Sequence, residues 1–342
     1  MIRTFTQLSV LLASVSLLVA CGGSGSSGDG VGLETSNVSV RFSDAPIEGV
    51  TAVVITVDSI TFNREGEDIV VDTFTSDELG IVNANTFQID LLEVQGNDNR
   101  LVLDVVELPV GEYQNLRIGI IEEDTDFSYV EEEGGDIKTL KVPGDELKLG
   151  SFTVSNDSAQ TFVVEFGLRQ AMTYNPGPER YILKPRGVRI AKLEDAATIS
   201  GSVDLDAIHL EGACSGKGDQ TVGNVAYLYT GHDLETDLLG DVFIRDDEDL
   251  DDPEIDESVP EDIIAPVVSE AIDGATGDYL FSYILPGDYT LAISCLADGD
   301  HPVTYDEFAI PAPETEIIEL HLEPESSLYC DFPNTEGCTE LE

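Results

Sequence analysis

Sixty-eight carboxylates, four histidines and five cysteines are the residues of this 342-residue chain with the chemistry for catalysis or metal binding. They are unevenly placed. Residues 35–195 contain neither His nor Cys, so Ser–His and Cys–His nucleophilic systems are excluded there. His209, His232, His301 and His321 all come later. His321 alternates against Ile318, Leu320 and Leu322 and is expected on a solvent face; the other three lie in or beside loop-like segments. No two share metal-ligand spacing on one element, so all four read as surface histidines. Glycoside hydrolysis needs two carboxylates in a cleft, one with a raised pKa, and nothing in the spacing singles out such a pair. There is no Trp to floor a sugar subsite. No catalytic residue and no cofactor is expected. Asp247, Asp249 and Asp251 are spaced two apart, like the first oxygen ligands of a calcium loop. Counted from Asp247, however, the sixth position is Asp252 rather than Gly, Pro253 follows, and the twelfth is Ser258. The run therefore reads as a solvated acidic loop, with calcium as the weaker alternative.

The cysteines divide into one and four. Met1-Ile2-Arg3 gives a positive start, and the apolar run Leu8–Ala20 is shorter than the roughly 20 residues of a membrane span. Residues 1–20 thus read as a signal peptide. Leu18-Val19-Ala20-Cys21 resembles the bacterial lipobox, in which the Cys is lipidated and becomes the mature N-terminus. Residues 21–34 are a Gly/Ser tether of the kind a lipid-anchored domain needs. Gly22, in place of Asp, resembles lipoproteins sorted to the outer membrane. Contact with the membrane is expected through Cys21 alone, on the periplasmic or the surface side. The other four cysteines allow three pairings in an oxidising compartment. Cys295 is in phase with Tyr289, Leu291 and Ile293 and should face a core; Cys214 lies beside an early strand of the same block; Cys330 and Cys338 sit together. The expected pairs are Cys214–Cys295 and Cys330–Cys338.

Sixteen basic residues against these acids leave a net charge of −52. Such a surface repels phosphate backbones and excludes nucleic acid as a partner. It suits an extracellular or saline setting, where salt screens the repulsion.

The elements that must position these groups are strands. Val38/Val40/Phe42, Val53/Ile55/Val57, Phe87/Ile89/Leu91, Leu101/Leu103/Val105, Leu116/Ile118/Ile120, Phe162/Val164/Phe166 and Val188/Ile190 alternate with period two. After Val57 the phase slips to Ile60 and Phe62, which places a bulge near Asp58-Ser59. A second block from Ala196 continues with ISGSV, VAYLY, GDYLFSYIL, GDYTLAIS and EIIELHL. It is interrupted by an acidic insertion at 245–265, in which Ser258 and Glu261 have capping-box spacing but Pro266 stops any helix. Residues 326–342 read as an irregular tail. The phrase ELPVGEY (107–113) returns as ILPGDY (284–289): a Pro/Gly turn, then a Tyr opening a strand. The fold class is all-β, with two β-sandwich-like domains at 35–195 and 196–325.

Several of these phrases, in order, resemble the bacterial family known as domain of unknown function 4382. They are Ser43-Asp44-Ala45-Pro46, Leu108-Pro109 with Gly111 and Tyr113, and Leu183-Lys184-Pro185. The resemblance covers about 38–192 and implies an envelope lipoprotein, with no established activity to carry over. Asp44 reads as an Asx turn ahead of Pro46, and Tyr113 and Tyr289 as core or corner tyrosines. The second block is similar to carboxypeptidase-regulatory or prealbumin-like sandwiches, a carbohydrate-binding-like fold group of mostly accessory modules. The expected function is a lipid-anchored, non-catalytic binding or structural module with an envelope protein or a glycan as partner. The alternative is a carbohydrate-binding protein or an accessory subunit of a carbohydrate-active enzyme. Tyr227/Tyr229 and Tyr279/Tyr283 would each share a strand face, as stacking surfaces or equally as core.

Overall fold

Alternation becomes strand along most of the chain in the computed structural model, which describes residues 34–45, 47, 49–157, 159–243, 259–260, 262–301, 304–333 and 337–341. Cys21, Pro46, Asp247, Asp249, Asp251, Ser258 and Glu261 lie outside the described residues. Val38, Val40 and Phe42 form a buried row on β1 (Thr35–Ala45). Then come β2 (Val50–Arg64), β3 (Arg100–Pro109), β4 (Asn115–Ile120), β5 (Ala159–Gly167) and β6 (Val188–Lys192). One four-stranded sheet runs β6-β5-β1-β3, with β1 parallel to β5 and the other pairs antiparallel. β2 is the long strand of a nine-stranded sheet and pairs with β4. Its register with β4 shifts between Val57 and Ser59, where the sequence phase slips. The bulge lets Val53, Ile55 and Val57 on one side of it, and Ile60 and Phe62 on the other, all enter the core. Phe42, Phe62, Phe166, Leu116 and Ile118 meet in that first core.

The second block contains β7 (Ala197–Ser202), β8 (Val225–Thr230), β9 (Val268–Ala271), β10 (Asp278–Ile284), β11 (Gly287–Ser294), β12 (Ile317–Leu322), β13 (Ser327–Tyr329) and β14 (Thr339–Glu340). Two sheets, β10-β7-β13-β14 and β9-β8-β11-β12, enclose a second core with Ile199, Phe281, Leu228, Leu291 and Leu320. A disulfide joins Cys214 to Cys295 within it, with Cα atoms 5.9 Å apart, and another joins Cys330 to Cys338. The segment expected to be an irregular tail belongs to the sheet instead. β13 lies parallel to β7 and antiparallel to β14, and the Cys330–Cys338 bond closes that hairpin. Strands of three and two residues are too short to show alternation, which is why the pattern missed them.

The repeated phrase makes the same hydrogen bond twice. Tyr113 Oη donates to the Pro109 carbonyl at 2.8 Å, and Tyr289 Oη to the Leu285 carbonyl at 2.9 Å. Gly111 (φ 141°) and Gly287 (φ 155°) take the turn through backbone that a Cβ disfavours. Each is a tyrosine corner, a ring sunk in the core with its hydroxyl pinning the turn four residues upstream. Among the described residues no strand pairs across the two blocks, yet Glu34–Glu342 pack as one unit. Side chains therefore join them.

Candidate functional site

β5 carries the junction. Phe162, Val164 and Phe166 face the first core, while Val163 on the opposite face packs against Ala191 and against Tyr283 of the second block. Glu165 shares that outer face. It is paired across the sheet with Arg189 on β6 and with Ser43 on β1. Glu270 of β9 approaches from the second block, and Asp44 lies at the end of β1. Glu165 is 1 % exposed, Glu270 4 % and Asp44 0 %. Burial pushes the Glu165 carboxyl up to about 7 and that of Glu270 to about 8, with Arg189 pulling both partly back. Burial, then repulsion from Glu165 and Glu270, holds Asp44 well above the ordinary range. Asp44 is a buried strand residue at the end of β1, and hydrogen bonding to Gln95 and to the Ala45 backbone offsets only part of that rise.

α1, the single turn Leu168–Ala171, continues from β5 and supplies the next contacts. Arg169 pairs with Asp300 Oδ2 at 2.7 Å and donates to Ser269 Oγ. Gln170 donates to the Ser269 carbonyl. Tyr227 Oη donates to Asp300 Oδ2 at 2.9 Å. At the other end of the seam, Tyr283 Oη donates to the Asn97 carbonyl at 2.7 Å, and Arg189 donates to the Ser282 carbonyl at 3.3 Å. An open cleft of about 330 Å³ borders these groups, lined by Ile47, Arg169, Asn224, Asp298 and Asp300 among others. A general acid or base must touch its substrate. Asp44 and Glu165 do not line this cleft, Glu270 lines a neighbouring one with Ile47 and Tyr279, and the Arg169 and Asp300 that line the first are bound to each other. The side-chain contacts along this seam hold one block against the other.

Other candidates fall elsewhere. His209 is buried at 2 % exposure, with Nδ1 2.6 Å from the Leu205 carbonyl, and so is not the surface residue expected; a one-turn helix, Leu205–Ile208, folds its ring inward. His232 meets the Leu320 carbonyl, and exposed His321 pairs with Asp288, which raises its pKa. Tyr227 and Tyr229 do share a strand face, but both are fully buried, with ring centroids 6.5 Å apart. Tyr279 and Tyr283 do not share one. Tyr283 has φ 53°, which breaks the alternation of β10, so Tyr279 joins the second core while Tyr283 enters the seam. Tyr174, 39 % exposed, meets Tyr181 at 5.0 Å, a pair the sequence reading did not raise. Pro185 sits in the turn before β6, its carbonyl accepting from the Val188 amide. Among the described residues, the acidic group that converges as a metal's ligands would is Asp241, Asp300 and Asp306.

Sequence reasoning missed Glu165, Glu270, Arg169, Arg189 and Asp300. One signal was present: Glu165 is the lone charge in Phe162-Val163-Val164-Glu165-Phe166, a run apolar on both faces. Such a run marks a strand covered on both sides, where a charge needs a partner.

No curated protein matches the chain. Among solved structures, the Bacillus anthracis TIE protein aligns with 10% identity and a TM-score of 0.18, over 90% of this chain and 34% of its own. The major pilin subunit of Bacillus cereus aligns with 9% identity and a TM-score of 0.20, over 89% of this chain and 71% of its own. The chain spans about a third of the length of the TIE protein. Likenesses this slight carry no functional conclusion. The family comparison is more direct: residues 35–185, the first block with its Asp44, Tyr113 and Pro185 landmarks, match the model described as domain of unknown function (DUF4382).

Proposed function

We propose that this is a lipid-anchored cell-envelope protein, held through Cys21, that acts as a non-catalytic binding or structural module. The observation that carries this reading is the seam. Arg169, Gln170, Arg189 and Tyr283 join one β block to the other, with Asp44, Glu165 and Glu270 buried beside them, whereas catalysis sets acid and base against a substrate. Two stacked β blocks held in this way form a scaffold for variable loops, which is what binding requires. The anchor rests on Leu18-Val19-Ala20-Cys21 and the tether, and outer-membrane sorting on Gly22. We read the second block as a prealbumin-like accessory sandwich. A glycan-binding reading has its own support in the Tyr174–Tyr181 pair, since exposed Tyr can stack on a sugar where Trp is lacking.

Fractionation of cells making the wild type and Cys21→Ser tests the anchor. The wild type is expected with outer membranes and the variant in the soluble fraction; a variant that stays with membranes contradicts it. The same protein is then screened against glycans, envelope extracts, and polysaccharide and ester substrates. Binding without turnover supports the module, and glycan binding lost in Tyr174→Ala supports the second reading. Turnover that survives repurification and vanishes when one carboxylate is replaced would make the protein an enzyme.

A further inference from the structure

We propose that Asp241, Asp300 and Asp306 form a calcium site on the outer face of the β9-β8-β11-β12 sheet. One carboxylate oxygen from each lies within 4.8 Å of the others. That spacing fits ligands around one calcium, which takes six to eight oxygens at about 2.3–2.6 Å. Three acidic residues alone would not make a site; the state of Asp300 does. Its side chain is only 2 % exposed. Its Oδ2 is occupied by Arg169 and Tyr227, while its Oδ1 is buried without a hydrogen-bond partner. A carboxylate oxygen withdrawn from water with no donor is costly, and a cation is the partner that satisfies it.

The surroundings are built to hold the three together. Tyr227 and Tyr229 stack on one face of β8 and each fastens a loop. Tyr227 holds Asp300, and Tyr229 Oη donates to the Gly240 carbonyl at 2.8 Å, next to Asp241. Asp241, itself 1 % exposed, accepts the Asp306 amide at 3.3 Å on Oδ1 and the Phe308 amide at 3.2 Å on Oδ2. Asp306 Oδ2 accepts the His301 amide at 3.0 Å, which ties the loop back to Asp300. Each oxygen that accepts one amide keeps a lone pair for a metal. Three carboxylates against the one guanidinium of Arg169 leave two negative charges, the number a divalent cation neutralises. The donors are all hard oxygens, which selects calcium or magnesium over softer metals. Carboxylates drawn from two separate loops suit the looser calcium shell better than the strict octahedron of magnesium. Water would fill the remaining positions. This site does not depend on the function proposed above.

The test uses the full chain freed of metal with EGTA and titrated with calcium at constant ionic strength, by calorimetry and by displacement of terbium. With no Trp in the chain, terbium emission is excited through tyrosine. One saturable calcium site is expected, weakened roughly tenfold or more by Asp306→Asn and by Asp241→Asn. The triple variant Asp247→Asn, Asp249→Asn, Asp251→Asn is expected to keep it. Melting in EGTA checks folding, and if Asp241→Asn does not fold, the more exposed Asp306→Asn decides. No saturable binding at millimolar calcium, binding that survives the decisive substitution, loss of binding in the triple variant, or equal displacement by magnesium would each overturn the assignment.

Discussion

Tyr113 and Tyr289 perform one task in two different cores. Each ring is buried and each hydroxyl closes a turn on a carbonyl four residues back. Removing the hydroxyl alone takes away one hydrogen bond and little packing. Tyr113→Phe and Tyr289→Phe are each expected to lower stability by about 1 kcal/mol. Because the two rings share no partner, the double variant should lose about the sum. Urea denaturation of the four proteins measures this; no loss in either single variant would show that the corners are decorative. This motif was legible in the sequence because all its parts are local: Pro, Gly and Tyr within seven residues. Asp44 was not. Its motif looks like a turn, and only the arrival of Glu270, more than two hundred residues later, makes it part of a buried seam.

At the scale of elements, legibility followed length and locality. β1, β2 with its bulge, and β11 with Cys295 in phase announce themselves by alternation over six residues or more. β13 and β14 do not, and neither does the covering of β5 on both faces, because a sequence pattern records one strand and not its neighbours. That covering has a measurable consequence. Glu165 and Glu270 ionise near 4.5 when exposed, but in the folded protein their pKa values stand at about 7 and about 8. Between those limits the unfolded chain releases protons that the folded protein keeps, so folding stability falls as pH rises through the window. Below about 4.5 both states are protonated and the penalty is absent. Glu270→Gln stays neutral throughout. It is expected to lie close to the wild type near pH 5 and to exceed it near pH 9 by on the order of 4 kcal/mol. Urea midpoints at the two pH values give the comparison. A Gln variant equally destabilised at both would mean that Glu270 is charged in the fold and stabilised by Arg189.

At the scale of the whole molecule, charge decides how the fold responds to salt. Two effects oppose each other. Salt weakens the attractive pairs, such as Arg41–Glu78 at 2.8 Å, Arg117–Asp68 at 2.8 Å and Lys192–Asp157 at 3.2 Å. Salt also weakens the repulsion among acids that have no basic partner. Exposed pairs contribute about 1 kcal/mol or less apiece, and sixteen basic residues set their ceiling, whereas the uncompensated charge is −52. The Debye length falls from about 30 Å at 0.01 M salt to about 8 Å at 0.15 M. At the lower concentration each surface carboxylate therefore feels many others; at the higher one it feels its neighbours. Relief of repulsion should win, and unfolding relaxes that repulsion less when it is already screened. The melting temperature is expected to rise from low to moderate sodium chloride and then to level off. The measurement is made in EGTA, so that the proposed calcium site contributes nothing, and is repeated with choline chloride to separate screening from sodium binding. A melting temperature that falls with salt would mean that the few ion pairs outweigh the excess of acid, and the acidic surface would then have to be neutralised by bound cations even at low salt.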